Sequence, residues 1–107
     1  MAGDYKVEFP DFGEMDVEIP ADFADVSWGN ESCPCFLSES AQAFLWVDYA
    51  DPALREHEGM PRFTLGVAED GQHPVDMREP LCATDDWAVL LQAVEARRTE
   101  MTARPTV

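Results

Sequence analysis

The 107-residue chain has the length of one domain with a single core, and with 46% apolar residues, six Phe and three Trp it is too hydrophobic to stay unfolded. Its 22 acidic residues stand against seven basic ones, of which Lys6 is the sole lysine, and the formal charge is −15. Charge of that sign and size excludes direct binding to nucleic acid or to an anionic membrane surface.

In chain order, Tyr5, Val7 and Phe9 alternate with Lys6 and Glu8, and Met15, Val17 and Ile19 alternate with Asp16 and Glu18. Both runs have the period of two of half-buried strands. Pro10 and Gly13 between them predict a hairpin, and Pro20 closes its second strand. Residues 21–41 have no clean period; Gly29-Asn30 marks a turn and Pro34 breaks any helix. Trp28 and Phe36 are expected to pin this segment to the core. Residues 43–50, with Phe44, Leu45, Trp46, Val47 and Tyr49, are apolar on both faces and predict a central strand covered on both sides. Residues 62–68 alternate Phe63, Leu65 and Val67 with Arg62, Thr64 and Gly66, and should pair antiparallel with it across a polar loop. A turn at 69–72 and a short strand near 75–77 are expected next.

The last element is a helix. Thr84 is its expected cap, with Asp85 and Asp86 placing negative charge at the positive end of the dipole. Trp87, Leu90, Leu91 and Val94 follow at i, i+3, i+4 and i+7 as one apolar stripe, and Arg97 and Arg98 stand at the other end. Residues 99–107 read as a frayed tail. The expected architecture is a single α+β domain over residues 1–107. It is a twisted antiparallel β-sheet of about four to six strands with the C-terminal α-helix packed on one face.

The start of the chain lacks a charged region followed by an apolar run, and no stretch approaches the ~20 apolar residues of a membrane span. Three cysteines, Cys33, Cys35 and Cys82, are an odd number that suits no secreted disulfide framework. The expected location is cytoplasmic.

No catalytic signature is present. Cys33-Pro34-Cys35 falls one residue short of the usual zinc spacing and has no second matching pair, so the cysteines and His57 and His73 imply no metal. The histidines lie in acidic polar loops and form no recognisable pair with a thiol. Calcium-loop, phosphate-loop and nucleophile-elbow motifs are missing, and no cofactor is implied.

The acids therefore carry the functional argument. Residues 8–28 hold seven carboxylates and no Lys or Arg. Same-face carboxylates on a strand repeat at ~6.6 Å, about twice the rise per nucleotide of one DNA strand, so a row of them can occupy phosphate subsites of a basic groove. The expected partner-binding residues are Asp11, Phe12, Glu14, Asp16, Glu18, Asp22, Asp25 and Glu31. Phe12, at the tip of the first hairpin, is the candidate desolvated anchor among them.

A small, highly acidic chain without motifs resembles the accessory proteins of phages and plasmids, and among these the anti-CRISPR proteins and other nucleic-acid mimics. The likeness covers the whole chain in size and charge. It implies a non-enzymatic inhibitor that binds a basic nucleic-acid-binding surface of a protein, such as a CRISPR effector complex, and blocks DNA or guide binding. The alternatives are an immunity or antitoxin protein neutralising a basic toxin such as a nuclease, a small metal-dependent or thiol enzyme, and acids that serve only solubility.

Overall fold

The computed structural model describes residues 4–29, 33–55, 59–68 and 80–103. Its centre is a five-stranded antiparallel sheet in the order β1-β2-β3-β4-β5, formed by Ala24–Asp25, Cys35–Ser38, Ala43–Val47, Phe63–Val67 and Cys82–Thr84. A short helix, α1 (Tyr5–Glu8), precedes the sheet, and a long one, α2 (Trp87–Ala103), follows it. The expected α+β architecture is present, with α2 against one face.

The two longest strands are those that the sequence marks most clearly. β3 lies mid-sheet, with Leu45 paired to Phe36 of β2 and Leu65 of β4. Ala43, Leu45 and Val47 point to the helix side, where Phe36, Phe63, Leu65, Leu90 and Val94 complete the main core. Phe44 and Trp46 point to the other side and join Cys35, Leu37 and Ala68 in a second, smaller cluster. Continuous apolar character in β3 is thus explained by burial on both faces.

The first predicted hairpin does not form. Residues 5–8 are helical, because the Asp4 side chain caps the turn by accepting from Lys6 N at 3.0 Å. Tyr5 and Phe9 are four residues apart and so fall on one side of a helical turn, which leaves Val7 64% exposed. The spacing of Tyr5 and Phe9 fits both periods, and Val7 decides against the strand. Met15, Val17 and Ile19 do pack on the core, with Asp16 and Glu18 outward. Their alternation is real, but the segment is an irregular strap, bent at Val17 and without a ladder partner among the described residues, held to α2 instead of to a strand.

Two further strands were hidden by their shortness. β2 begins directly after Pro34, and β5 has three residues ending at Thr84. Thr84 therefore does not cap α2. Asp86 does, accepting from Ala88 N at 2.9 Å, while Thr84 Oγ1 accepts from Asp86 N. The helix continues to Ala103, so residues 99–103 are ordered helix, contrary to the expected fraying from 99. Trp28 is 48% exposed and belongs to neither core cluster, whereas Phe36 is buried as expected. The turn at 69–72, the strand near 75–77, His57, His73 and Glu31 lie outside the described residues. No helix among the described residues is long and apolar enough to cross a membrane.

Candidate acidic interaction surface

The expected binding residues divide by what their carboxylates hold. Asp16 takes both guanidinium arms of Arg62, at 2.9 and 2.5 Å, across 46 residues of sequence. That hydrogen bonding keeps its carboxyl below the ordinary aspartate value, outweighing the smaller effect of burial. Asp22 is bound by Arg98 of α2 and by the Ser38 and Ser40 hydroxyls. Burial pushes its carboxyl up, but the hydrogen bonds from Arg98 and the serines prevail and the net shift is downward. Arg98 also pairs with Glu95, one turn earlier on the helix. The strap is thus pinned at both ends, near Phe63 through Arg62 and on α2 through Arg98.

Asp25 is an internal brace, accepting from Tyr5 N at 2.8 Å and from Ser27 N at 2.9 Å. Asp11 accepts from the Tyr49 hydroxyl at 2.7 Å. Burial, and then the Asp11 carboxylate, raise the Tyr49 phenol well above its usual range, so Tyr49 stays a donor. Glu14 and Glu18 are exposed and their side chains have no partner among the described residues. Glu31 is outside them.

Phe12 does not stand at a loop tip. Its ring is half-buried, 5.8 Å edge-on from Tyr5 and 5.1 Å from Tyr49. It is a core aromatic, so its role as the exposed anchor is corrected. Trp28 is the aromatic left exposed. Gly29 N donates to Glu8 Oε1 at 2.8 Å, which holds the turn after Trp28 against α1, the helix that also exposes Val7. Sequence reasoning placed Trp28 in the core because an isolated aromatic in an aperiodic segment carries no sign of its burial.

Arginine placement is the feature that sequence alone concealed. The side chains of Arg55, Arg62 and Arg97 are 7%, 13% and 6% exposed, while their carboxylate partners Asp85, Asp16 and Glu100 are 75%, 53% and 54% exposed. These arginines are turned inward onto backbone carbonyls. Arg55 donates to Tyr49 O at 2.8 Å and Met60 O at 2.9 Å, Arg62 to Asp48 O at 3.0 Å, and Arg97 to Ala41 O at 3.0 Å. Positive charge is consumed beneath the surface and the carboxylates ride above it. Among the described residues the solvent therefore meets mainly negative groups.

Cys33 and Cys35 are buried. Burial raises the Cys82 thiol above its ordinary value, which lowers its thiolate fraction. No group of three His, Cys, Asp or Glu among the described residues is arranged to hold a metal ion. No family model matches the chain, and no curated protein or solved structure matches it either.

Proposed function

We propose that this protein is a non-enzymatic inhibitor that covers a basic nucleic-acid-binding surface of a protein target, such as a CRISPR effector complex, and so blocks capture of DNA or guide. The observation that carries this reading is the inward burial of Arg55, Arg62 and Arg97 beneath exposed carboxylates. A protein that needed acids only for solubility could leave its arginines at the surface, interspersed with them. Here three arginines support backbone carbonyls, and their exposed carboxylate partners face outward.

Glu14 and Glu18, whose side chains have no partner among the described residues, are carboxylates whose full charge is available to Lys and Arg of a target. Asp16 contributes an exposed carboxylate already oriented by Arg62. Each contact between solvated charges is worth little, about 1 kcal/mol or less, so affinity also needs a desolvated anchor. Trp28 meets that need and takes the place of Phe12 in the binding set. In this reading the protein acts in the cytoplasm, where nucleic-acid-handling complexes work.

The test starts with capture of the target from the source cell on the immobilised full chain, followed by a DNA-capture assay on that target. Glu14→Lys with Glu18→Lys should abolish inhibition. Glu39→Lys, on the β2–β3 turn, reverses an equally exposed acid elsewhere on the surface and should matter little. A loss per reversed charge equal to that of the first pair would mean that bulk charge alone acts, and the reading would fail.

A further inference from the structure

Between the strap of residues 16–21 and α2 lies an open groove of about 730 Å³. Its floor is apolar, from Val17 and Ile19 on one wall and Trp87 and Leu91 on the other, all half-buried. Glu18 and Glu95 stand on opposite rims, both exposed. The single cation in the lining, Arg98, is occupied by Asp22 and Glu95. An acidic or neutral polar ligand would find no free donor charge here, and a plain apolar one would leave Glu18 unpaired.

We infer that this groove receives a short cationic segment of the target protein, in which Lys or Arg alternates with apolar side chains. The inference rests on the proposed inhibitory reading and deepens it by naming what the acidic surface grips. The strap bends at Val17 and enters a turn at Pro20–Phe23, and an extended segment of about six residues, roughly 17–20 Å long, suffices to lie along it. In such a segment alternate side chains face the floor, where an aliphatic group covers Leu91 and Trp87. The long stems of intervening Lys or Arg lean to the rims and set their charges on Glu18 and Glu95. Charge selects the segment, and the apolar floor supplies the contact that screened charges cannot.

Two heptapeptides test this on the full-length chain: one alternates Lys and Leu, the other Lys and Ser, at equal charge. Binding is followed by amide and indole shifts in nuclear magnetic resonance. The Lys/Leu peptide should bind at least about tenfold more tightly, the difference that burying even one leucine allows. Its largest shifts should fall on Val17, Ile19, Leu91 and the Trp87 indole, and Leu91→Gln should remove the preference without lowering the melting temperature. The shift map stands even if that variant fails to fold. Equal affinity with shifts spread over the surface would overturn the groove while leaving the acidic-surface reading intact. If neither peptide binds at low salt, both ideas are overturned.

Discussion

Replacing Arg97 by Met keeps most of the aliphatic stem and removes the guanidinium, so it isolates the internal work of a buried cation. Arg97 donates to Ala41 O at 3.0 Å and Gln42 O at 3.3 Å, at the turn where Gln42 adopts a positive φ of 48°. Gln42 O retains Ala68 N at 2.9 Å as a donor, so the principal loss falls on Ala41 O. A buried carbonyl stripped of a charged donor costs about 2–3 kcal/mol, a large share of the stability of a small domain. At roughly 4–8 °C per kcal/mol the melting temperature should fall by about 8–24 °C in calorimetry. Arg97→Lys, which can reach one carbonyl, should recover part of it. If Arg97→Met melts with the parent, the arginines are not structural, and the separation of inner cations from outer anions loses its basis.

Other outcomes follow from the same arrangement. Trp28→Ala should change stability by no more than ~0.5 kcal/mol yet weaken target binding, whereas Phe12→Ala should cost ~2–4 kcal/mol by opening a gap between Tyr5 and Tyr49; calorimetry and target titration separate the two. Glu18→Lys should leave the melting temperature unchanged or raised, since it relieves repulsion, while Asp16→Lys should cost up to ~1 kcal/mol of stability because Arg62 then faces a like charge. The Asp16 and Asp22 carboxyls are depressed in the folded state, so their contribution is complete above the ordinary carboxyl value near ~4 and is lost as pH falls through their lower folded values. Asp16→Asn with Asp22→Asn should therefore flatten the stability profile below about pH 4 and leave its shape above pH 5 unchanged in chemical denaturation.

Much of the fold could be read from the chain. β3, β4 and the Leu90–Val94 stripe of α2 follow from apolar period and length, because each buries a whole face. The N-terminal hairpin misled because Tyr5 and Phe9 satisfy a helical turn as well as a strand, and only the exposure of Val7 distinguishes them. β2 and β5 are too short for a period to register. The candidate site was legible in charge but not in geometry: Asp16 with Arg62 and Asp22 with Arg98 are separated by 46 and 76 residues, and pairs formed by tertiary approach leave no local pattern. Glu14 and Glu18 stayed free because no arginine of the described sheet or helix reaches them.

The most direct measurement is an order-of-addition experiment with the captured target, its DNA and this protein. If the carboxylates occupy phosphate positions, target preloaded with DNA should resist the protein, target preloaded with the protein should fail to take DNA, and no ternary complex should elute in size-exclusion chromatography. The protein's association rate should also fall steeply with salt, since screening shortens to ~8 Å at physiological ionic strength. A stable ternary complex of target, DNA and protein, or an association rate indifferent to salt, would contradict the account.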